Sequence, residues 1–253
     1  MLYPKCDLNI HSISSGHAFN TIDEIIEHSI LNGYRMIGIS DHGPDMEHAA
    51  HAGYFTMLYR LPRQFRNMMV LYGCEANILD TTGNIDIPDR LIAKMDYVMA
   101  GLYRRTSYNG GNIAEHTEAI VSAIHSGKVD IISHHISLNF LTNPENIVKA
   151  ALEEHVILEC NKFVLKEAVI NHNNDVIRLL TDLFNMALEA GAHFFLGSDA
   201  HHISEIGISD DELIMMQEIY NISLLRMLNE NISELENILQ KRKQLRSSIH
   251  HEK

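Results

Sequence analysis

The chain has 253 residues, 45% of them hydrophobic, with 33 acidic side chains against 20 basic ones and a formal net charge of −13. That balance excludes the basic footprint a nucleic-acid binder needs. No stretch is apolar for long enough to read as a membrane span, and Met1 to Ser15 lacks the basic-then-apolar pattern of a secretory leader. The cysteines Cys6, Cys74 and Cys160 lie far apart in apolar runs, which fits reduced thiols and a cytoplasmic location. Without a Pro/Gly/Ser linker the chain reads as a single domain over 1–245, with a charged, fraying tail at 246–253.

Leu2 to Leu8 reads as a first apolar strand, ending in Asp7, Asn9 and His11, and a loop then delivers His17. Thr21 with Glu24 is a capping box for a helix that presents Ile22, Ile25, Ile26 and Ile30 on one face and stops at Gly33. Met36 to Ile39 is a short apolar run without alternation, the pattern of a strand buried on both faces. It runs into Ser40, Asp41 and His42 before Gly43 and Pro44 turn the chain. A helix is expected over Tyr54 to Arg66, interrupted or ended at Pro62.

Met68 to Cys74 is a third strand, followed by Glu75 and Asn77, a turn at Asp80 to Asn84 and a short helix at Pro88 to Ala93. Asp96 to Leu102 is a fourth strand with Tyr103 after it, and Glu115 to Ser126 a helix. Asp130 to Ser133 is a fifth strand ending in His134 and His135, and Asn143 with Pro144 starts a helix. Val156 to Cys160 is a sixth strand ended by Asn161. A long helix follows from Asn173 to Ala190 with Gly191 as its stop. Phe194 to Gly197 is a seventh strand, followed by Asp199, His201 and His202. Capping boxes at Ser209/Glu212 and Ser233/Glu236 predict a helical tail.

Strand and helix alternate about seven times, which predicts an α/β fold with a parallel sheet inside helices. Each strand ends in a residue able to bind metal or to hydrogen-bond. Such ends converge at one mouth in a barrel, and spread along a line in an open sheet, so the barrel is favoured. The strand-end candidates are His11, His17, His42, Glu75, His134, Asp199 and His201. Imidazole and carboxylate together suit zinc, manganese or iron. The chain holds 17 histidines, so position rather than number carries the argument. His28, His51, His125, His155, His172, His193, His250 and His251 read as helix, loop or tail residues.

The segments Asp7-Leu8-Asn9-Ile10-His11, Ser40-Asp41-His42-Gly43, Gly73-Cys74-Glu75-Ala76-Asn77, Ile132-Ser133-His134 and Gly197-Ser198-Asp199-Ala200-His201 resemble the motifs of the PHP (polymerase and histidinol phosphatase) family. The string from Asp41 to Glu47 is similar to its stand-alone bacterial phosphatases. The resemblance spans residues 3 to about 235 and implies a distorted seven-stranded TIM-like barrel. It also implies a phosphoesterase with up to three divalent metal ions (Zn, Mn or Fe). By resemblance the first ion takes Asn9, His11, Glu75 and Asp199, the second Glu75, Tyr103 and His134, and the third His17, His42 and His201. Asn9 and Tyr103 stand where the family has histidine. An amide is a weak ligand, and a phenol must ionise from about 10 to bind, so two of the three sets are weakened.

The activity so implied is hydrolysis of a small phosphate monoester. Two ions sharing Glu75 lie roughly 3.5–4 Å apart in such centres and activate a bridging water. Glu75 and Asp199 are the expected catalytic carboxylates. Arg63 is read as a phosphate clamp, a guanidinium matching phosphate geometry, with a solvated helix-end arginine as the equal alternative. Arg104 and Arg105 read as loop residues, Asp7 and Asp41 as carboxylates that orient histidines, and Asn161 as a hydrogen-bonding pocket residue. The competing reading is a catalytically impaired relative that keeps one metal site and binds or regulates. A hydrolase of amides or lactones is disfavoured, because no lysine stands at a suitable strand end. The partner expected is a small phosphorylated substrate, with neither nucleic acid nor membrane; a homo-oligomer is left open.

Overall fold

A computed structural model of the protein describes residues 4–249. The first residues of the expected opening strand and the end of the tail, with His250 and His251, lie outside the described residues. In chain order the elements are β1 (Cys6–Ile10), α1 (Ile22–Leu31), β2 (Met36–Ile39), α2 (Ala52–Phe55), β3 (Gln64–Phe65), β4 (Met68–Tyr72), β5 (Glu75–Asn77), α3 (Asp89–Ile92) and β6 (Met99–Gly101). They continue with α4 (Ile113–His125), β7 (Ile131–Ile132), α5 (Pro144–Glu154), β8 (Ile157–Asn161), α6 (Lys162–Ile170), α7 (Asn174–Ala190), β9 (Phe194–Gly197), α8 (Asp210–Glu218) and α9 (Ile232–Ile249).

Two sheets form, in the orders β1-β2-β4-β3 and β5-β6-β7-β8-β9, parallel throughout except for β3. They meet at two isolated parallel bridges, Ile10 with Ala200 and His42 with Glu75. The run from Met68 to Asn77 bends at Gly73-Cys74, so that β4 pairs with β2 while β5 pairs with β6. Counting β4 and β5 as one bent strand recovers the seven parallel strands expected, in a distorted TIM-like arrangement with helices outside.

The period of two along each strand sorts the side chains into layers. Met36, Met99, Ile131, Ile157 and Phe195 belong to one small cluster inside the sheets, sealed below by Leu235, Ile238 and Leu239 of α9. Two residues further along each strand stand Gly38, Gly101, Ser133, Glu159 and Gly197, and beyond them Ser40, Tyr103, Asn161 and Asp199. The interior thus passes from an apolar plug, through a layer of small and polar residues, to a polar mouth. The larger core lies between sheets and helices and includes Ile37, Val70, Ile120, Ile147, Leu180 and Phe184.

Local signals explain most helix ends. Thr21/Glu24 and Ser209/Glu212 form the expected capping boxes, Asn143 caps α5, and Gly191 ends α7 in the left-handed region. Three expectations need correction, and one helix is new. Tyr54 to Arg66 is not one helix. It breaks into α2, a single 3-10 turn at Leu58–Arg60 and β3, because Arg63 donates to the carbonyls of Leu58 and Leu61 and Pro62 supplies no N–H. A helix, α6, fills a span that had no assignment. Helix α9 is capped by Asn231 with Glu234, two residues before the expected Ser233/Glu236 box. Residues 246–249 of the expected fraying tail belong to α9: Arg246 is fully buried, paired with buried Asp130, and its guanidinium also donates to the Met95 carbonyl. Arg242 reaches the carbonyls of Val129 and Glu154 beside it.

Candidate metal centre

All seven strand-end candidates arrive at one mouth. His11 follows β1, His42 follows β2, Glu75 opens β5, His134 follows β7, and Asp199 and His201 follow β9. The 3-10 turn at Ile13–Ser15 after β1 ends at Gly16 in the left-handed region and returns His17 to the same rim. There His17 lies against His42 and His201, with ring centroids 5.0 and 4.8 Å away.

His11 Nε2 stands 3.2 Å from Glu75 Oε2 and 3.3 Å from Asp199 Oδ1, while His42 Nδ1 stands 3.3 Å from the same Glu75 oxygen. His134 Nε2 lies 3.2 Å from Asp199 Oδ2 and 4.0 Å from Glu75 Oε1. Among the described residues His11 Nε2, His42 Nδ1 and Glu75 Oε2 are buried and lack a well-aligned hydrogen-bond partner. Two triads, His11/Glu75/Asp199 and His11/His42/His201, hold their ligand atoms within 4.8 Å of one another. Without an ion, His11 Nε2 faces the two carboxylates through a proton; a divalent cation in that proton's place would satisfy His11, Glu75 and Asp199 together, so the donor set fits a metal ion. His134 and Asp199 both adopt positive φ, of 45° and 54°. Such backbone strain costs on the order of 1 kcal/mol or more per residue and gathers at functional sites.

The surrounding groups fix the ligands. Asp41 accepts hydrogen bonds from Ser12 N, Ser12 Oγ, Ser15 Oγ and Tyr54 Oη at 2.6–2.8 Å. Ser15 Oγ, spending its proton on Asp41, accepts from His11 Nδ1 at 2.9 Å. This relay keeps a proton on Nδ1, so that Nε2 is the nitrogen free to ligate an ion once it gives up its own proton. Among the described residues Asp7 makes no hydrogen bond or ion pair with a histidine; it accepts from the Asn9 and Ser198 amides and ties β1 to the chain after β9.

Two residues act differently from the roles the resemblance implied. Asn9 is saturated: its Nδ2 donates to Glu75 Oε1 (3.3 Å) and Glu159 Oε1 (2.8 Å), and its Oδ1 accepts from Ser40 Oγ (3.0 Å). It is a neutral strut between two carboxylates. Tyr103 packs edge-on against His42 and His134. Burial, then the charge of Glu75, hold its phenol well above 10, against ionisation. Arg63 stands apart from the site. It pairs with Asp96 ahead of β6 at 3.1 Å and lies over the Tyr72 ring, which corrects its reading as a phosphate clamp. Arg104 and Arg105 are exposed.

Glu159 had no role in the sequence reading. It is fully buried in the middle layer, accepting from Asn9, Ser133 Oγ (2.5 Å) and Asn161 Nδ2 (3.1 Å), and a side chain at Gly197 would collide with it. Burial and then the Glu75 charge push Glu159 up to about 7. Asn161 Oδ1 caps α6, which turns its Nδ2 toward Glu159 and Asp199. For His11, burial disfavours the proton, but Asp199 and Glu75 outweigh it and raise the imidazole to about 10. Burial likewise opposes the proton on His134, and Asp199 lifts it to about 9. Glu75, raised by burial, is brought down to about 2 by His11. His42 is held well below 6.5 by burial and by the charge on His11.

The site opens into a cavity of about 370 Å³ whose lining includes His17, His42, His134, Asp199 and His201. A wider cleft of about 580 Å³ lies on the surface between α4 and α5, away from these groups.

No family model matches the chain. A probable phosphatase of Clostridium novyi is 33% identical over 204 residues, covering 81% of this chain and 82% of its own length. The chain belongs to the PHP family. A second relative, a probable phosphatase of Caldanaerobacter subterraneus subsp. tengcongensis, is 30% identical over 237 residues, covering 94% of this chain and 91% of its own. Among solved structures, the histidinol phosphate phosphatase of Lactococcus lactis, complexed with zinc, L-histidinol and phosphate, superposes with a TM-score of 0.59 at 14% identity. That match covers 87% of this chain and 93% of that one. At that identity the likeness establishes the PHP fold.

Proposed function

We propose that the protein is a metal-dependent phosphatase that hydrolyses a small phosphate monoester, with a metal centre smaller than the trinuclear one of its family. One observation carries this reading: buried His11 Nε2, His42 Nδ1 and Glu75 Oε2 converge within 3.3 Å of one another or of Asp199 at the mouth of the strands. His11, Glu75 and Asp199, joined by His42, His134 and His201, would hold the ion or ions, with His17 at the rim. Their nitrogen and oxygen donors suit zinc, manganese or iron. A divalent ion bound there supplies a water of lowered pKa as nucleophile and a Lewis acid for the phosphoryl oxygens.

The chain's own residues do the rest. The Asp41–Ser15–His11 relay keeps His11 in its metal-binding tautomer. Asn9 holds Glu75 and Glu159 in place and occupies one oxygen of Glu75, leaving the other for a ligand role. That arrangement disfavours Glu75 as a bridge between two ions. The same saturation of Asn9 supports the second reading, a binding protein with a residual metal site. Phosphate release from a panel of small monoesters, with manganese or zinc and with chelator, separates the two. Metal-dependent turnover is expected, and no turnover on any ester would favour the binding protein.

Among the described residues no helix is long and apolar enough to cross a membrane. We place the protein in the cytoplasm because its three cysteines are all buried free thiols. Its net charge of −13 argues against nucleic acid as substrate.

A further inference from the structure

The first turn of α6 inverts the usual order of inside and outside. Lys162 is buried, at 7% exposure, while its neighbour Phe163 is 53% exposed. The Lys162 ammonium donates to the carbonyls of Glu205 (2.6 Å) and Gly207 (2.7 Å) and so pins the loop that follows His201. The lysine is spent on building the wall, and the phenyl ring is left standing at the rim. Asn161, which caps this helix, donates to Asp199 at 3.3 Å, so Phe163 is held two residues from the metal centre on a rigid element.

An exposed phenylalanine alone needs no explanation. This one lines the cavity of the metal centre together with Met46 and Tyr103. It also lines an adjoining cavity of about 260 Å³ that shares Asp199 and Glu205 with the first. The first cavity, about 370 Å³, is in the range that takes a whole small molecule rather than a phosphate group alone. Among the described residues no lysine or arginine lines it. In the second cavity, Lys162 and Lys166 both face Glu212, at 3.8 and 3.4 Å. Both lysines there are partnered by that carboxylate, whereas the flat apolar surface of Phe163 is open.

We propose that Phe163 is the specificity-determining platform of the site, and that the substrate is a phosphate monoester of an alcohol with a flat apolar face and no second phosphate. The inference rests on the phosphatase reading above. In the reaction water's oxygen bonds to phosphorus, the ester P–O bond breaks, and its electron pair leaves with the alcohol, which takes up a proton. Phe163 takes no part in that exchange; it holds the alcohol portion while the ester bond lies over the metal centre.

The test compares benzyl phosphate with ethyl phosphate, whose alcohols are of similar acidity, on the metal-loaded enzyme. Ring-on-ring contact gives up to about tenfold in binding, so kcat/KM is expected to favour the benzyl ester by about that factor. Phe163→Ala should bring the ratio close to one, and Phe163→Tyr should retain it. A wild-type ratio near one, or a preference that survives Phe163→Ala, would overturn the inference. Calorimetric binding of benzylphosphonate and ethylphosphonate keeps the two readings apart. If neither ester is hydrolysed but benzylphosphonate binds about tenfold tighter through Phe163, the phosphatase reading fails and the platform stands. If neither phosphonate binds, the platform fails as well.

Discussion

Metal uptake by this protein should release protons, in a number the site itself sets. Nε2 of His11 is the atom offered to an ion, and in the ion-free protein Asp199 and Glu75 hold a proton on that imidazole up to about 10. At pH 7 that proton lies about three units below its release, and at roughly 1.36 kcal/mol per unit an ion must displace about 4 kcal/mol of proton binding. His134, lifted to about 9 beside Asp199, adds a second proton if it ligates. Apparent metal affinity should therefore rise about tenfold per pH unit for each proton displaced, between roughly pH 6.5 and 9. Calorimetric titration with manganese or zinc, in buffers of differing ionisation enthalpy, counts the protons directly. One to two per first ion is expected. A flat pH dependence with no buffer effect would refute the assignment of His11 as a ligand. The same shifts predict a stability profile for the ion-free protein. Histidines raised on folding contribute stability that is fully present below about 6.5 and lost as pH rises through 9 to 10. Glu75, lowered to about 2, contributes stability present above about 4.5 and lost as pH falls through 2.

Other expectations follow from particular contacts. Asn9→His with Tyr103→His should raise the number of bound ions, since the strut on Glu75 Oε1 and the phenol beside it both become ligands; unchanged metal content by mass spectrometry would mean that the pocket has been rebuilt for another use. Arg246→Met should cost about 3–5 kcal/mol in urea unfolding by leaving Asp130 charged and unpaired in the interior, and Asp130→Asn in the same chain should recover part of it. Arg63→Ala should leave turnover unchanged and cost about 1–2 kcal/mol of stability through its lost contacts to Asp96 and two carbonyls; a large fall in kcat/KM would restore it as a phosphate clamp.

Much of the fold was legible because its signals are local. The capping residues Thr21, Asn143 and Ser209 and the stop at Gly191 each act within a few residues of themselves. Each strand-end motif likewise places its ligand one or two residues past an apolar run. What stayed hidden depends on distant partners. Arg246 looked like tail charge, and its partner Asp130 lies 116 residues away. Glu159 was lost as one acidic residue inside an apolar strand, although the period of two from Ile157 to Asn161 turns it inward. The glycines at the matching level, Gly38, Gly101 and Gly197, were the signal that something bulky or polar fills that layer. Asn9 read as an eroded ligand because its Glu159 partner was not in view. In the span 54–66, expected to be helical as far as Pro62, Arg63 donates locally to the Leu58 and Leu61 carbonyls and the chain leaves the helix.

Metal content per chain, on protein purified without chelator or affinity nickel, tests the central claim most directly. One or two ions are expected, with phosphate-ester turnover that disappears on chelation and returns with manganese or zinc. Protein that binds no ion, or whose turnover is untouched by chelator, would contradict the account.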